Sequence, residues 1–236
     1  MVKTNQHSEK EVQQLFSRIA PQYDSLNNVI SLGLQKTWRQ KLWRRLSVRD
    51  DFHCLDLCCG TGDLTIQAAQ QLGPKGLVVG LDFNQEMLNI AQQKIQQAAV
   101  NVPVKLQYAD VMRLPFAEQS FDIITIGFGL RNVPDAERVL RESYRVLKPG
   151  GQFACLEMSQ PSTAVIKIFW QLYLKIFPRL AQICGGNYRD YQYLQTTTKS
   201  FLSAPQLLQL LQKVGFQHCN YTQLTWGAAA LHLGRK

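Results

Sequence analysis

A turn of small residues follows an apolar run in the first third of the chain. Residues 55–63 read Leu-Asp-Leu-Cys-Cys-Gly-Thr-Gly-Asp, so a predicted strand leads through two glycines into a predicted helix. Glycines let the backbone approach a ligand closely, and the free N–H groups at a helix start can hold a carboxylate. The spacing is not the G-x-G-x-x-G of many dinucleotide enzymes, because Cys58 occupies the first glycine slot and Thr65 the last. The residues that we expect to hold a nucleotide-like cofactor here are Asp56, Gly60, Thr61 and Gly62.

Two further aspartates end the next two predicted strands. Asp82 ends the second strand, where a carboxylate can accept hydrogen bonds from both ribose hydroxyls of a nucleotide. Asp110 ends the third strand, where it can meet an adenine amino group. The alternative is that each aspartate caps the helix that follows it. Because both lie after successive strands beside one glycine turn, we favour cofactor binding, and the glycine spacing together with Asp110 favours S-adenosylmethionine over NAD.

Composition sets broad limits on the class of protein. The 236 residues are 45% hydrophobic and 18% charged, which is typical of one globular domain. The polar start and the lack of 18 consecutive apolar residues argue against a secretory signal and a membrane-spanning helix. The six cysteines include no C-x-x-C pair, so we expect reduced thiols in a cytoplasmic protein and no metal site. The net charge of +9 indicates an anionic partner, whether nucleic acid, acidic lipid or a small molecule.

Strand and helix patterns alternate through the middle of the chain. Continuous apolar runs separated by amphipathic segments predict a doubly wound α/β fold with a largely parallel sheet. The predicted strands are 54–58, 77–82, 104–109, 121–127 and 152–157, and the predicted helices between them are 64–72, 85–98 and 134–147.

The segments on either side of this core are less regular. Residues 8–15 are predicted to be helical, with Ser8 and Glu11 at capping-box spacing, whereas 16–33 are predicted to contain helix ends and turns. Residues 158–203 combine an apolar helix with a Gly/Tyr/Thr-rich stretch. The other predicted elements are a basic, aromatic helix at 38–46, a helix at 205–214 and strands at 217–225 and 228–234.

Several longer blocks resemble one enzyme family. They are Tyr-Asp-Ser-Leu-Asn-Asn-Val-Ile-Ser at 23–31 with Trp-Arg at 38–39, the 55–63 turn, Gly-Phe-Gly-Leu-Arg-Asn-Val at 127–133, Arg-Val-Leu-Lys-Pro-Gly-Gly-Gln-Phe-Ala-Cys-Leu-Glu-Met-Ser at 145–159 and Ala-Ala-Leu-His-Leu-Gly at 229–234. These blocks are similar to the motifs of the ubiquinone/menaquinone-biosynthesis C-methyltransferases, and the likeness covers nearly the whole chain. The glycine turn and Lys-Pro-Gly-Gly are shared widely among methyltransferases, but the 23–31 and 127–133 blocks are much more specific.

The resemblance implies a fold and a cofactor. The fold is the Rossmann-like one of S-adenosylmethionine-dependent methyltransferases, a doubly wound sheet of seven strands with the last strand antiparallel. The family often has asparagine where this chain has Asp110, but an acceptor for the adenine amino group survives that change. The S-adenosylmethionine contacts that the resemblance implies are Thr61, Asp82, Asp110, Val111 and the Gly127 position.

The resemblance also implies a reaction. A methyl group would move to a ring carbon of a 1,4-naphthoquinol with a polyprenyl tail, converting demethylmenaquinol to menaquinol in the last step of menaquinone biosynthesis. A benzoquinol of the ubiquinone pathway stays open as the acceptor. An RNA or other small-molecule methyltransferase and a catalytically silent, methyltransferase-like binding subunit also stay open. We expect no nucleic-acid partner, because the sequence contains no RNA-binding module and no Asn-Pro-Pro-Tyr-type motif.

Four residues are candidates for catalysis. The acceptor carbon becomes a strong nucleophile when the neighbouring phenolic oxygen loses its proton, so the protein must align the reactants and stabilise the naphtholate. We expect Arg131 to stabilise this oxyanion, because a guanidinium stays protonated, and Asn132 to orient a water or the substrate oxygen. Proton removal is left to water or a carboxylate. Tyr23 and Asp24 are expected to close over the site from the N-terminal segment.

Plainer roles for some of these residues stay open. Arg131 could form a surface salt bridge with Asp135 or Glu137, and Tyr23 could pack in the core with a satisfied hydroxyl. The histidines beside or within predicted strands are expected to be packed and hydrogen-bonded rather than catalytic, and they are His53, His218 and His232.

We expect one methyltransferase domain with four parts, from the order of the predicted strands and helices. The parts are an N-terminal helical cap (1–50), a cofactor-binding core (51–157), an apolar helix and lid (158–203) and a C-terminal helix with two strands (204–236). Within 164–177, the polar residues Lys167, Gln171 and Lys175 recur every four positions on an otherwise apolar helix. Packing in the core or in a homodimer would explain such a helix. A lid that touches an anionic membrane and receives the polyprenyl chain would explain it equally well.

The basic helix at 38–46 could add to membrane attraction, although a solvated basic helix is the plainer reading. The residues that could contribute, including one two positions before the helix, are Lys36, Trp38, Arg39, Lys41, Trp43, Arg44 and Arg45. We therefore expect a cytoplasmic protein, with association to the inner face of the membrane as an open addition.

Overall fold

A central β-sheet organises the chain. The computed structural model describes residues 4–5, 7–183 and 185–236, and Cys184 lies outside them. The strands are β1 (His53–Leu57), β2 (Leu77–Asp82), β3 (Val104–Tyr108), β4 (Phe121–Gly127), β5 (Leu147–Met158), β6 (Gln217–Leu224) and β7 (Ala229–Arg235). Among the described residues they form one seven-stranded sheet in the order β3-β2-β1-β4-β5-β7-β6. The pairs from β3 to β5 are parallel, and β7 runs antiparallel to both β5 and β6. This confirms the predicted fold, including the antiparallel last strand.

Helices cover both faces of the sheet. They are α1 (Glu9–Ile19), α2 (Tyr23–Ile30), α3 (Leu34–Trp43), α4 (Asp63–Gln71), α5 (Gln85–Gln97), α6 (Ala136–Val146), α7 (Ala164–Ile183), α8 (Tyr188–Ser200) and α9 (Ala204–Val214). Leu55 and Ile124 point into a core shared with α6 and α9, whereas their neighbours Cys54 and Ile123 point into a core shared with α3 and α4. Strand side chains alternate between faces, so adjacent apolar residues serve two cores. The continuous apolar runs of the sequence have this origin.

The N-terminal region is more helical than its sequence suggests. The predicted capping box is present, because Ser8 accepts from the Glu11 backbone while the Glu11 carboxylate accepts from Ser8. The prediction of only helix ends and turns at 16–33 is wrong, since α1 continues to Ile19 and α2 occupies Tyr23–Ile30. α2 is short and buries only Leu26, and packing against neighbouring helices rather than local periodicity holds it in place.

The Gly/Tyr/Thr-rich stretch also contains a helix. α8 begins after Asn187, whose side chain caps it by accepting from the Arg189 backbone. Its Thr196–198 run has low helix propensity, but Thr197 is buried and its hydroxyl donates to the Tyr193 carbonyl. α7, predicted at 164–177, continues through Pro178 to Ile183. No helix in the described part of the chain is both long and apolar enough to cross a membrane.

α7, α8 and the N-terminal helices form a third core above the edge of the sheet. The apolar side chains of α1 and α2 pack here against Phe177 and Tyr191. Arg18 of α1 is 2.6 Å from the buried carboxylate of Asp190 in α8, and the Tyr173 hydroxyl of α7 donates to the carbonyl of Ile30 in α2. The two regions that lie outside the strand–helix alternation therefore pack together over the same edge of the sheet.

His232 makes the stability of this fold depend on pH. Its ring on β7 is buried, Nε2 lies 2.9 Å from the Ala204 carbonyl oxygen, and burial lowers its pKa to about 4. Because the unfolded chain takes up this proton near pH 6.5 and the folded chain does so near pH 4, folded stability falls as the pH drops through that window. We expect the free energy of unfolding to fall by about 2 kcal/mol more between pH 7.5 and pH 5 in the natural chain than in His232→Gln.

Urea unfolding at both pH values measures this difference. The carboxyls of Asp56 and Asp82, whose pKa values are raised, act in the opposite direction, so only the difference between the two proteins isolates the imidazole. His218→Gln on the exposed strand β6 is the control and should behave like the natural chain. Equal pH dependence in the natural chain and His232→Gln would contradict the prediction.

Candidate active site

The turn after β1 adopts a backbone conformation that few residues tolerate. Cys58 has φ +51°, Gly60 has φ +53° and Gly62 has φ +85°. The left-handed region is uncommon for residues other than glycine, and such outliers concentrate at functional sites. Cys58 thus adopts the conformation that a glycine would favour, although it carries a side chain. Asp82 at the end of β2 holds the turn in place, because its Oδ2 accepts from the Gly60 N–H at 2.8 Å.

Asp56, in the strand that precedes the turn, stabilises the turn through two hydrogen bonds. Its two oxygens accept hydrogen bonds from Thr65 at 2.7 Å and Thr125 at 2.8 Å, which ties β1 to α4 and β4. Burial raises the pKa of this carboxyl to about 6. Gly62 has a packing role: a Cβ at this position would lie 3.0 Å from Ala91 of α5, so the glycine permits close packing of the two helices.

A narrow cavity of about 100 Å³ opens beside this turn. Gly60, Asp82, Asp110, Val111 and Gly127 line it, which brings together five of the eight predicted cofactor residues. Burial raises the pKa of Asp82 to about 6, against the opposing effect of backbone N–H donors.

The helix-cap alternative for these aspartates is wrong. Asn84, not Asp82, caps α5, because its side chain accepts from the Met87 N–H. Asp110 is followed by a turn, within which its carboxylate accepts from the Met112 N–H at 2.8 Å.

The N-terminal segment covers the narrow cavity. His7, Val12 and Phe16 line it. Before them, the Thr4 hydroxyl donates to the Val133 carbonyl at 2.7 Å, and the Asn5 amide donates to the Asn132 carbonyl at 2.8 Å. The segment that precedes α1 is therefore fastened to the loop after β4.

The lining of the narrow cavity has groups that suit a nucleotide-type ligand. A Cβ added to Gly60 would meet no protein atom within 4 Å, so the glycine faces open space where a ligand can approach its backbone. Asp82 and Asp110 offer carboxylate acceptors for hydroxyl and amino groups, and they complement a positive charge. These acceptors suit the ribose hydroxyls and the adenine amino group of S-adenosylmethionine, and their negative charge suits its sulfonium.

A second, wider cavity of about 390 Å³ adjoins the first. α2, α3, α7 and the turn before β7 supply most of its lining. The apolar side chains among them include Ile30, Leu32, Trp38, Phe169, Trp170, Phe177 and Trp226. Asp24, Thr61 and Arg131 contribute polar groups at its inner end, next to the glycine turn.

The two cavities meet at a small set of shared residues. Those that line both are Tyr23, Cys58, Gly60, Gly127 and Phe128. Phe128, like Cys58, has a left-handed backbone, with φ +59°. The backbone outliers of the β1 and β4 loops therefore lie where the two cavities meet, as is typical of functional sites.

Arg131 is buried at this inner end and pairs with a residue that the sequence analysis did not identify. Its Nη1 lies 2.6 Å from Oε1 of Glu157, and its backbone N–H donates to Oε2 of the same carboxylate. Nη1 also donates to the Phe128 carbonyl, while Nε is buried without a hydrogen-bond partner among the described residues. Attraction to Glu157 raises the pKa of Arg131 in spite of burial.

The predicted alternative of a surface salt bridge to Arg131 is therefore wrong. Glu137 instead lies 2.7 Å from Arg141 and 2.9 Å from Lys213, and Asp135 caps α6.

Tyr23 lies at the junction of the two cavities, whereas Asn132 lies on the narrow side. The Tyr23 ring packs against the third core. Its hydroxyl makes no hydrogen bond to the described residues, so the part of the core-packing alternative that expected a satisfied hydroxyl is not met. Burial raises the pKa of Tyr23, which keeps the hydroxyl protonated. Asn132 lines only the narrow cavity, where its amide donates to the Phe128 carbonyl and accepts from Tyr193.

Asp24 belongs to an ionic network that the sequence did not reveal. Its Oδ1 accepts from the Thr61 hydroxyl at 2.6 Å, and its Oδ2 lies 2.6 Å from Nζ of Lys94. Lys94 also lies 2.5 Å from Asp63, whose other oxygen is 2.6 Å from Arg39. The network joins α2 and α3 of the N-terminal region to α4 and α5 of the core, beside the glycine turn.

Asp82 yields a test of the narrow cavity. If its carboxylate accepts the ribose hydroxyls, Asp82→Asn should weaken binding of S-adenosylhomocysteine about tenfold or more, because charge-assisted hydrogen bonds are roughly twice as strong as neutral ones. The affinity of the natural chain should also fall below about pH 6, by up to about tenfold per pH unit, as this carboxylate takes up a proton.

Titration calorimetry measures both effects. Asp122→Asn is the matched control, since this aspartate pairs with Lys148 at the opposite end of the strands. Binding by Asp82→Asn within threefold of the natural chain, or an unchanged fall in affinity below pH 6 in that variant, would contradict the assignment.

The chain is similar in sequence to known methyltransferases over nearly its whole length. The chain is 52% identical over 233 residues to a demethylmenaquinone methyltransferase of Lactobacillus johnsonii, with 99% of this chain and 96% of that protein covered. It is 47% identical over 226 residues to a protein of the same name from Lactiplantibacillus plantarum, with 95% of each chain covered.

A solved structure is similar in fold. An S-adenosylmethionine-dependent methyltransferase from Aquifex aeolicus superposes with a TM-score of 0.62 at 16% identity, covering 83% of this chain and 88% of that one. The model of the ubiE/COQ5 methyltransferase family matches residues 3–236. The chain belongs to the ubiE/COQ5 methyltransferase family, whose members use S-adenosylmethionine as the methyl donor.

Proposed function

We propose that this chain methylates demethylmenaquinol, a 2-polyprenyl-1,4-naphthoquinol, and so forms menaquinol in the last step of menaquinone biosynthesis. The observation that carries the proposal is the pair of adjoining cavities, one narrow with two carboxylates and the other wide and apolar. A polar methyl donor and an apolar aromatic acceptor require such a pair. The two relatives are named demethylmenaquinone methyltransferases, which supports the same acceptor.

The narrow cavity is the proposed donor site. We assign the ribose hydroxyls to Asp82 and the adenine amino group to Asp110, with Val111 beside the base. Gly60 and Gly127 leave space for the ligand at the junction, while Asp56, Thr61 and Gly62 maintain the turn. When bound, S-adenosylmethionine supplies an electrophilic methyl group on a sulfonium sulfur.

The wide cavity is the proposed acceptor site. Its inner end, next to Tyr23 and Arg131, would hold the quinol ring, and the apolar lining from α2 and α7 would hold the first part of the polyprenyl tail. A flat ring at the junction puts the acceptor carbon against the donor cavity, which provides the alignment that in-line transfer needs. The surrounding apolar side chains exclude water.

The chain's own residues then have three tasks. They align the two ligands, exclude water and stabilise the naphtholate oxygen while the new carbon–carbon bond forms and the carbon–sulfur bond breaks. The ring proton leaves to water or a carboxylate. Glu157 already compensates the charge of Arg131, so we propose that Arg131 acts mainly through directed N–H donors outside its Nη1 contacts. Tyr23 offers a second donor, because its hydroxyl is protonated and lies at the junction.

Asn132 and Asp24 have indirect roles in this proposal. Asn132 lies on the donor side, where it holds the Phe128 carbonyl, rather than orienting the acceptor oxygen. Asp24 connects α2 to Thr61 and Lys94, so that the N-terminal region (1–50) closes as a cap on the core (51–157).

The partners follow from the acceptor. A polyprenyl tail resides in a bilayer, so we propose peripheral contact of a cytoplasmic protein with the inner, anionic membrane surface, and a lid role for 158–203. A homodimer that buries the apolar residues of α7 is the other arrangement that would cover them.

The acceptor proposal predicts a ranking of substrates. We expect labelled methyl transfer from S-adenosylmethionine to demethylmenaquinol to be fastest, with its benzoquinol counterpart slower and RNA unmodified in parallel assays. The oxidised quinone is the control, because it has no hydroxyl to deprotonate and should not react. An equal or higher kcat/KM for the benzoquinol would contradict the naphthoquinol assignment. S-adenosylhomocysteine binding without turnover of any acceptor would indicate a silent binding subunit.

The oxyanion role of Arg131 predicts a loss of kcat. Arg131→Ala should lower kcat by about 10²–10³-fold, as removal of an oxyanion donor typically does. Because this change leaves Glu157 buried without its cation, the double variant Arg131→Met, Glu157→Gln removes the N–H donors at position 131 without leaving a buried charge. A kcat within threefold of the natural value in either variant, with S-adenosylhomocysteine binding retained, would show that the role is wrong.

A further inference from the structure

An exposed apolar surface surrounds the outer end of the wide cavity. Leu32 is 82% exposed, Trp226 is 76% exposed and Phe169 is 67% exposed, yet all three line the cavity, so they form its mouth. Exposed apolar residues continue from this mouth along α7 and α2. We call the set the rim surface, and it consists of Val29, Leu32, Val165, Ile168, Phe169, Leu172, Ile176 and Trp226. Soluble monomers rarely expose apolar patches of this kind without a binding role.

Three segments far apart in sequence form the rim surface, and side-chain contacts brace them. The Tyr173 hydroxyl of α7 donates to the Ile30 carbonyl, two residues before Leu32. The Trp38 indole donates to the Thr225 hydroxyl at 2.9 Å, which ties the turn before β7 to α3.

That turn is strained. Thr225 has φ +46° and Trp226 has φ +54°, both left-handed and both non-glycine. Such a conformation is costly and persists where the surroundings impose it, and here it holds an indole out in solvent.

The three segments carry positive charge and no negative charge. Residues 25–49, 158–189 and 191–236 contain no aspartate or glutamate, and every rim-surface residue falls within one of these ranges. Exposed cations lie in the same segments, among them Lys36, Lys167, Lys175 and Arg179. The excess of positive charge in the chain is therefore placed in the segments that carry the apolar rim.

We propose that the rim surface docks on an anionic lipid bilayer. Trp226 would lie at the boundary between headgroups and acyl chains, where indole rings are favoured, and the lysines of α7 would contact the headgroups. The mouth of the wide cavity would then face the acyl chains, and a prenyl tail would enter it without crossing water. The tail's identity rests on the proposed function, whereas the docking surface rests on exposure and charge.

A second copy of the chain fits this surface less well. A two-fold interface would place the same acid-free, basic segments of both copies face to face, and like charges would repel. Anionic lipid provides the opposite charge and an apolar layer together.

Vesicle binding tests the proposal. We expect the full chain to co-sediment with phosphatidylcholine vesicles containing phosphatidylglycerol at low salt, and to remain in solution with phosphatidylcholine alone. Tryptophan emission should shift to shorter wavelength on binding, because Trp226 is exposed while Trp38, Trp43 and Trp170 are buried. Trp226→Phe should remove the shift. Binding to both vesicle types alike, or to neither, would overturn the proposal.

Matched variants separate the apolar and charged contributions. Val29, Ile168 and Leu172 are exposed and do not line the wide cavity, so their triple change to serine should weaken binding to the anionic vesicles more than tenfold. Lys167→Glu with Lys175→Glu should weaken it about tenfold or more, while Lys75→Glu with Lys105→Glu, exposed near the β3 edge, should change it less than threefold. Equal effects of the two charge pairs would contradict a defined docking face.

The proposal about the docking surface and the proposal about the reaction can be refuted independently. The serine triple variant should keep the natural kcat with a short-tailed, water-soluble naphthoquinol and lose activity only with acceptor held in vesicles. Inactivity of the natural chain on both acceptors would refute the proposed function while vesicle binding still stood. Sedimentation of the natural chain as a dimer that the triple variant abolishes would assign the rim surface to a second copy and overturn the bilayer proposal.

Discussion

Parallel pairing of β1 with β2 and β4 is the constraint on which the candidate site depends. Neighbouring parallel strands have their carboxyl ends at the same end of the sheet, so the loops that follow them must meet there. The left-handed turn at Cys58, the carboxylate of Asp82 and the junction residue Phe128 belong to three such loops. The hydrogen bond from the Gly60 N–H to Asp82 joins two of them directly. If the strands did not end together, the residues that line both cavities would not be neighbours.

Charges near the two cavities are compensated by partners from distant elements. Arg131 and Glu157 are both buried, and removing either would leave an unpaired charge at a cost of about 3–5 kcal/mol. The carboxylate of Glu157 also accepts two backbone N–H groups, so its geometry is set by β5 as well as by the pair. Lys94 performs a similar task nearer the surface, between Asp24 and Asp63. These pairs fix the positions of the loops and of α2.

The wide cavity exists because the N-terminal helices and the 158–203 region pack on each other as well as beside the sheet. Their shared apolar cluster includes Leu26 and Tyr191, and the ion pair between Arg18 and Asp190 joins them at its side. Apart from Met158 at the end of β5, no described residue of either region lies in the sheet. An apolar chamber built between them opens outward on the rim surface, whereas its inner end reaches the glycine turn. The same packing therefore gives the wide cavity a polar and an apolar end.

Local sequence was enough to predict the sheet, most helices, the glycine turn and the two aspartates, because strand periodicity, turn chemistry and strand-end carboxylates are properties of short segments. The specific blocks at 23–31 and 127–133 indicated the family, which the comparisons confirmed. Tertiary structure alone decided that α2 and α8 form, because packing outweighs their weak local patterns. It also decided the partners of Arg131 and Asp24: Glu157 lies 26 residues from Arg131, and Lys94 lies 70 residues from Asp24. No local spacing encodes such a pair, since only the burial of a charge in the folded chain makes its partner necessary.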